Sequence, residues 1–409
     1  MRPSISSFIK LFLVMAFVLS MVGCKTVGLP PPPPPPPPAP IPEPPPPPPP
    51  PAPVIPPEPQ PVPPPPAPVE IELNPAPVSK FTVTVFYGTD RVNAEGGYTD
   101  RYTPNLKLGV ATVSIPPGHK PGVVETTPLI DIVLHRTAIN TFILAPPREL
   151  NGAVFFRRLN STIHRSTPKQ LFVYIHGFGN SFEDSVFRAA QIAFDIKFEG
   201  APVVFSWPSD DLTDYRRVRS TAKVAAHELR RFLDLLAERS DAEVIHIIVH
   251  SMGNYVLQQA LSADNGGPLS WSDTKLHEVV LAAADLDAEG MLRLTRALRR
   301  RTPRDAVALS SPRTQAPHVT LYSSQRDRAL WLSFFANLTA MAGRLPGNPV
   351  MYPSSDTVDL SAITDDFLGH STFAENDRAL KDLQMLIGDE SPPIARGLLH
   401  VPPLWTIPR

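Results

Sequence analysis

The 409-residue chain has a single cysteine and almost no net charge. One thiol makes no intrachain disulfide, so the cysteine content alone does not indicate an oxidising or a reducing compartment. Lysine and arginine together number 38 and aspartate and glutamate 39, which leaves a net charge of −1. Such a balance gives no electrostatic basis for binding nucleic acid, and we expect no nucleic-acid partner.

The sequence also lacks the patterns that mark two common kinds of cofactor site. Histidine, cysteine and carboxylate side chains do not cluster at the spacings of a metal centre. A glycine-rich phosphate-binding loop is missing as well. We therefore expect a function that requires neither a metal ion nor a nucleotide cofactor.

The N-terminus has the organisation of a secretory signal. Basic residues flank a polar start, and the apolar run 11–22 that follows is too short to span a bilayer comfortably. The run ends in Met-Val-Gly-Cys, which resembles the bacterial lipobox, whose cysteine receives diacylglycerol and becomes the new N-terminus. This resemblance implies that residues 1–23 are a lipoprotein signal peptide and that Cys24 is lipidated. The lysine after Cys24 implies, by resemblance to Gram-negative lipoproteins, anchoring in the outer membrane. The alternative is an ordinary signal peptide with an incidental thiol.

Proline is the residue in excess, with 54 copies, most of them before residue 80. Because proline has a fixed φ and no amide hydrogen, residues 29–68 are unsuited to helix and to sheet. We expect a polyproline II stalk, in which roughly 40 residues at about 3.1 Å each reach about 120 Å. Residues 24–79 are thus predicted to be a lipidated cysteine and a proline-rich linker. A ligand for an aromatic groove is the alternative role of the tract.

From residue 80 onwards, short apolar runs alternate with helical patterns. Two initial strands are predicted at 80–87 and 106–115. Buried strands follow at 171–175, 203–207, 244–249, 279–284 and 318–322, and helices between them at 183–194, 225–236, 254–261 and 291–298. This alternation predicts an α/β fold with a mostly parallel central sheet flanked by helices. We assign residues 80–390 to this domain and 391–409 to a C-terminal tail.

The strongest candidate for chemistry is Ser251, because reactive groups in parallel sheets gather at the carboxyl ends of strands. It lies in the run VHSMG, between a predicted strand and a predicted helix, as in a nucleophile elbow. As a nucleophile, Ser251 attacks a carbonyl carbon while the Met252 amide faces the developing oxyanion. The elbow pattern has glycine where Val249 stands, and helix N-capping is the alternative role for the serine.

A second oxyanion donor is expected from the loop HGFGN, which follows the strand at 171–175. Glycines on both sides of Phe178 allow the backbone to come close, and the Phe178 amide is the candidate. His176 is expected to support this loop through hydrogen bonds, because the catalytic base should come later in the chain.

An acid and a base follow the nucleophile in hydrolases of this fold. Asp327 comes after the strand at 318–322, and His370 comes after a short predicted strand at 358–360. His370 is predicted to be the general base that takes the Ser251 proton, with Asp327 orienting its imidazole. Asp285, after the strand at 279–284, is the alternative acid.

Several segments together resemble a family of uncharacterised bacterial α/β-hydrolases, a domain of unknown function in the esterase/lipase superfamily. The likeness spans about residues 86–386 and is carried by FYGTDR (86–91), HGFGNSFE (176–183), VVFSWPS (203–209), HSMGNYVL (250–257), LYSSQRDRAL (321–330) and GHSTF (369–373). The resemblance implies an α/β-hydrolase fold with Ser251, Asp327 and His370 as a triad. A Tyr-x-x-Asp segment of that family is Tyr-Arg-Arg-Val here, from residue 215.

The sequence therefore predicts an esterase- or lipase-like serine hydrolase that cleaves an ester or related acyl bond of a small molecule or lipid. It is expected at the bacterial cell envelope, held to the membrane by its lipid anchor. The alternative is a catalytically weak or inactive binding or scaffolding lipoprotein with the same fold. Residues 330–341 are either a lid over an acyl pocket or a core helix. Trp207 is expected to pack, and Asp210 to be solvated.

Overall fold

The structure is a computed structural model, and it describes residues 81–94, 97–126, 141–211, 214–298, 317–330, 341–343, 352, 355–365 and 368–408. The predicted signal peptide, Cys24 and the proline-rich linker lie outside these residues. So do residues 331–340 of the segment predicted to be a lid or a core helix. Within the described residues, no helix combines the length and apolar character needed to cross a membrane.

The described residues form a twelve-stranded sheet. Its strands are β1 (Thr82–Ala94), β2 (Gly97–Ser114), β3 (Ile143–Leu144), β4 (Arg148–Leu150), β5 (Gln170–Ile175), β6 (Ala201–Ser206), β7 (Val244–His250), β8 (Leu276–Ala282), β9 (His318–Ser323), β10 (Ser355–Asp359), β11 (Leu399–Val401) and β12 (Leu404–Thr406). Every residue of β5, β6 and β7 is buried. Continuous burial of this kind requires cover on both faces of the sheet, as the apolar runs predicted.

The strand order is β11-β12-β10-β9-β8-β7-β5-β6-β1-β2-β3, with β4 also beside β2. The neighbours from β12 through to β1 are all parallel. The pairs at the two ends of the sheet are antiparallel. The predicted mostly parallel α/β-hydrolase sheet is therefore confirmed.

Helices cover the sheet on two faces. They are α1 (Gly152–Ile163), α2 (Phe182–Asp195), α3 (Tyr215–Arg239), α4 (Gly253–Ala260), α5 (Ser272–Lys275), α6 (Ala288–Leu298), α7 (Thr372–Glu375) and α8 (Asp377–Asp389). One core contains apolar residues of α1, α3, α4 and α6, and the other contains those of α2 and α8. The second core also holds Tyr322, which lies next to the end of β9, the strand that leads to Asp327.

Side-chain caps fix where the helices next to the site begin. Ser181 caps α2 by accepting the Asp184 amide, and the Asp184 carboxylate accepts the Ser181 amide, which completes a capping box. Asp214 caps α3 by accepting the Arg217 amide. Helix α3 therefore begins ten residues before the predicted start at 225. The apolar pattern missed this first part because polar residues dominate it.

The structure corrects the predicted C-terminal boundary at residue 390. Strand β12 pairs in parallel with β10, matching Val358 to Trp405 and Asp359 to Thr406, and β11 pairs with β12. Residues 391–409 were predicted to be a tail, but their strands belong to the central sheet. The runs LHV and LWT are too short for an apolar pattern to reveal them.

Candidate active site

Ser251 occupies a strained turn between β7 and α4. Its φ is +53°, in the left-handed region that residues with a side chain rarely adopt. The Ser251 amide donates to the Ala282 carbonyl at 3.0 Å, and its carbonyl accepts the Asn254 amide at 3.1 Å and the Asn254 side chain at 3.0 Å. These bonds hold the conformation that a nucleophile elbow requires.

Two glycines allow the elbow to pack against the loop after β5. A Cβ on Gly253 would lie 2.7 Å from the His176 carbonyl oxygen, and one on Gly177 would lie 2.5 Å from the Ser251 Cβ. Neither position has room for a side chain. The side chain of Val249, where the elbow pattern has glycine, is fully buried in the core that α3 and α4 cover.

Asp327, which is buried, and His370, which is half-buried, form a pair although 43 residues separate them. The Asp327 Oδ2 lies 2.8 Å from the His370 Nδ1, and the Asp327 side chain is 1% exposed. The other carboxylate oxygen, Oδ1, accepts the Leu330 amide at 2.9 Å. Asp327 follows β9 and His370 follows β10, so parallel pairing of these two strands brings the residues to the same edge of the sheet.

The loops that carry this pair are fastened to each other. The Arg328 amide donates to the Leu368 carbonyl at 2.8 Å. Gly369 has a φ of +64°, and a Cβ there would lie 2.6 Å from the Arg326 carbonyl oxygen. A glycine immediately before His370 is therefore required by both the conformation and the close approach.

His250 brings the nucleophile and the base together. It is the last residue of β7 and directly precedes Ser251. Its Nε2 lies 3.0 Å from the His370 carbonyl oxygen, and the two imidazole rings are 4.7 Å apart. The structure thus gathers Ser251, Asp327 and His370, all three predicted from sequence, at the carboxyl ends of β7, β9 and β10.

The alternative acid, Asp285, binds elsewhere. Its carboxylate accepts a hydrogen bond from the Tyr215 hydroxyl at 2.7 Å, and its amide donates to the Ser251 carbonyl at 3.2 Å. Asp327 is the carboxylate that binds the Nδ1 of His370. Tyr215 begins α3 and its ring contacts Phe178, so the segment matching the family's Tyr-x-x-Asp run borders the predicted oxyanion loop.

The two predicted oxyanion donors are next to the contact between the elbow and the loop after β5: Met252 follows Ser251, and Phe178 follows Gly177, where an added Cβ would lie 2.5 Å from the Ser251 Cβ. Within the described part of the chain, neither the Met252 amide nor the Phe178 amide donates a hydrogen bond. The neighbouring amide of Gly179 donates to the Ser209 carbonyl at 2.7 Å, and the Asn180 side chain donates to the Phe178 carbonyl at 3.0 Å. These bonds fix the loop that carries Phe178.

Residues 153–389 match the family described as alpha/beta hydrolase of unknown function (DUF900). The match covers more than half of the chain. The chain belongs to this family. The resemblance drawn from the sequence motifs is thereby confirmed, and with it the α/β-hydrolase fold. No curated protein matches the chain.

Several solved esterases resemble this family member, with low sequence identity and low TM-scores. A hyperthermophilic esterase from the archaeon Pyrobaculum calidifontis is 12% identical, over 69% of this chain and 82% of that one, with a TM-score of 0.29. An esterase B from Lactobacillus rhamnosis is 14% identical over 54% and 79%, with a TM-score of 0.27. A ferulic acid esterase from Streptomyces cinnamoneus is 16% identical over 55% and 72%, with a TM-score of 0.26. Likenesses of this degree carry no argument about substrate.

His176 has the supporting role that the sequence predicted. Its ring is fully buried and stacked on that of Trp207, with the centroids 5.5 Å apart. The Trp207 amide donates to the His176 Nε2 at 3.0 Å, and the Trp207 indole donates to the His176 carbonyl at 2.9 Å. Burial lowers the pKa of His176 to about 3, so the ring is neutral. The expected packing role of Trp207 is confirmed as well.

Arg91 is an organising residue that the sequence reasoning missed. Its side chain is fully buried at the irregular end of the β1–β2 hairpin. Its five hydrogen bonds go to the Asn180 carbonyl at 2.7 Å, the Trp207 carbonyl at 2.6 Å, the Asp210 Oδ1 at 2.8 Å, the Ser206 Oγ at 3.0 Å and the Thr99 carbonyl at 3.2 Å. Asp210, expected to be solvated, keeps 30% of its side chain exposed but also pairs with Arg91. The FYGTDR motif was the available signal.

The side chains of the described residues offer no arrangement of three or more histidine, cysteine, aspartate or glutamate groups that could hold a metal ion. The elbow carries the Ser251 hydroxyl, and His250 links it to the His370–Asp327 pair. A hydroxyl near an imidazole–carboxylate pair is an arrangement that can generate a nucleophile.

Proposed function

We propose that this member of the α/β-hydrolase family is a serine esterase that cleaves an ester or related acyl bond through an acyl-enzyme. The observation that carries the proposal is the pairing of the buried Asp327 with His370, with 2.8 Å between the Oδ2 and Nδ1 atoms, beside a serine held at a φ of +53°. A structural serine needs neither the strained turn nor a hydrogen-bonded acid–base pair next to it.

The proposed reaction begins when the His370 Nε2 takes the proton of the Ser251 hydroxyl as its oxygen attacks the ester carbonyl carbon. The resulting oxyanion accepts hydrogen bonds from the Met252 and Phe178 amides. His370 then gives its proton to the leaving alcohol as the carbon–oxygen bond breaks. A water molecule attacks the acyl-enzyme with the same proton route and releases the acid and free Ser251.

Asp327 has two roles in the proposed reaction. Its hydrogen bond to Nδ1 holds the tautomer of His370 in which Nε2 accepts a proton. Because the Asp327 carboxylate is 1% exposed, its attraction to the imidazolium is little screened by water. The imidazolium that forms when His370 takes the serine proton is thereby stabilised.

The test is labelling of the full chain by a fluorophosphonate, followed by hydrolysis of p-nitrophenyl esters of graded acyl length. We expect wild-type labelling, none in Ser251→Ala, and strongly reduced labelling in His370→Ala. Ser220→Ala, at an exposed position of α3, is the matched control and should label like wild type. A folded wild type that does not label would contradict the proposal and favour the binding or scaffolding lipoprotein.

We further propose that Cys24 carries a diacylglycerol and anchors the protein in the outer membrane of a bacterial envelope, with the proline-rich stretch as a spacer. The lipobox-like run and the lysine that follows it support this proposal. In a Gram-negative host, the wild-type protein should sediment with the outer membrane and carry the lipid mass. Cys24→Ala should lose both properties. An unmodified, membrane-free wild type would refute the anchor.

A further inference from the structure

We propose that His250 is a positioning residue, which fixes the general base against the nucleophile elbow by donating its Nε2–H to the backbone carbonyl of His370. The inference rests on the proposed esterase function and extends it, because it assigns a role to the residue before the nucleophile. His250 does not reach the substrate in this role. It acts through the placement of His370.

The hydrogen bond defines the tautomer of His250. A carbonyl oxygen only accepts, so the His250 Nε2, 3.0 Å from the His370 carbonyl oxygen, must carry the hydrogen. His250 is 7% exposed. Its ring lies 4.7 Å from the His370 ring and 5.2 Å from the Phe373 ring. Packing and hydrogen bonding therefore both hold the imidazole in one orientation.

The surroundings of His250 keep it uncharged. Burial and the neighbouring His370 lower its pKa well below the usual value, and Arg188 and His176 act in the same direction. The hydrogen bond to the His370 carbonyl acts in the opposite direction. A neutral His250 matters because His370 becomes an imidazolium during the proposed reaction. A second positive charge 4.7 Å away would oppose that step.

His370 lies outside the helices and strands, so its position depends on contacts between loops and strand ends, and the hydrogen bond from His250 is one of them. Strand β10 ends at Asp359, and α7 begins at Thr372, so His370 lies in the connecting loop. Asp327 holds the ring of His370 through Nδ1, whereas His250 holds its backbone. A displacement of about 1 Å of a reacting group reduces rates by roughly 100-fold. The hydrogen bond from His250, at the end of β7, links the base to the strand that leads to Ser251.

The experiment compares three variants of the full chain. His250→Gln keeps a donor at about the position of Nε2, His250→Phe keeps the ring without a donor, and His250→Leu keeps neither. The readouts are kcat and KM for p-nitrophenyl butyrate, the fluorophosphonate labelling rate and the midpoint of thermal unfolding. We expect His250→Phe and His250→Leu to lose roughly 10- to 100-fold in kcat and in labelling rate, with KM within about twofold of wild type. His250→Gln should recover most of the loss.

Three outcomes separate the possibilities. A wild type without labelling or turnover overturns the esterase proposal, and this inference with it. An active wild type with an equally active His250→Phe or His250→Leu variant overturns this inference alone. A His250→Gln variant that folds but is as slow as His250→Phe also overturns this inference alone. If one apolar variant does not fold, the other decides, because a single folded donor-less variant suffices.

Discussion

A carboxyl group buried next to Arg91 makes the stability of the protein depend on pH. Asp90, in β1, is fully buried, and neither of its carboxylate oxygens has a hydrogen-bond partner among the described residues. Burial raises the pKa of Asp90 to about 8, against the opposing attraction of Arg91. The carboxyl group is therefore mostly protonated in the folded protein at neutral pH.

The direction of the effect follows from proton binding in the two states. The ordinary pKa of the group is 3.8, so between that value and about 8 the folded protein binds a proton that the unfolded chain has released. The free energy of unfolding should therefore fall as pH rises through this range and level off above it. The pKa difference corresponds to roughly 6 kcal/mol when the whole range is traversed.

The substitution Asp90→Asn isolates this contribution, because an amide of the same shape does not titrate. The free energy of unfolding of both proteins is measured in urea from about pH 5 to about pH 9. The value for the variant minus the value for the wild type should rise by about 1.4 kcal/mol per pH unit until about pH 8. Asp264→Asn, at an exposed position, is the control and should follow the wild type. If the difference in the free energy of unfolding between Asp90→Asn and the wild type does not change with pH, the expected protonation of Asp90 is refuted. Asp90 would then be ionised in the folded protein, with the attraction of Arg91 outweighing burial.

Three further substitutions test the site. Arg91→Lys replaces the planar guanidinium, with its five N–H donors, by a single ammonium group. It should lower the free energy of unfolding in urea by about 3 kcal/mol and slow fluorophosphonate labelling. Gly177→Ala places a methyl group 2.5 Å from the Ser251 Cβ and should slow labelling by roughly 10-fold or more, whereas Gly118→Ala, which meets open space, should not. Asp327→Asn should lower kcat for p-nitrophenyl esters by roughly 100- to 10,000-fold because it favours the wrong His370 tautomer, and an unchanged kcat would exclude Asp327 as the orienting acid.

The predictable part of the fold was the part that local patterns encode. Strand β7 is apolar apart from His246 and His250 and leads into the turn at Ser251, and the helix after it carries its own apolar spacing. Each predicted position of Asp327 and His370 depended only on which strand came before it. Parallel pairing then placed both residues at one edge of the sheet, which is why two residues distant in sequence could be predicted to lie together.

The unpredicted part depends on contacts that no local pattern contains. Charged residues within a strand, such as Asp90 and Arg91, would ordinarily be assigned to a solvated edge. The burial of Arg91 depends on acceptors supplied from far along the chain, such as the Trp207 carbonyl 116 residues away. The same reason accounts for the hydrogen bond from His250 to His370, 120 residues apart, which no spacing in the sequence suggests.

Val249 raises the question of whether a valine, in place of the glycine of the elbow pattern, distorts the turn that holds Ser251. Glycine in the elbow pattern allows close packing around the turn, so a valine there suggested a looser turn and an inactive protein. The close contacts of this elbow, however, are made at Gly177 and Gly253, while the Val249 side chain is fully buried in the core. The atoms nearest these two glycine positions belong to Ile175, His176, His250 and Ser251, and none of them belongs to Val249. The valine therefore gives no reason to favour the scaffolding alternative. Val249→Gly should leave a cavity that lowers the free energy of unfolding by about 1–3 kcal/mol. It should not speed up fluorophosphonate labelling. An appreciably faster Val249→Gly variant would show instead that the valine does distort the turn.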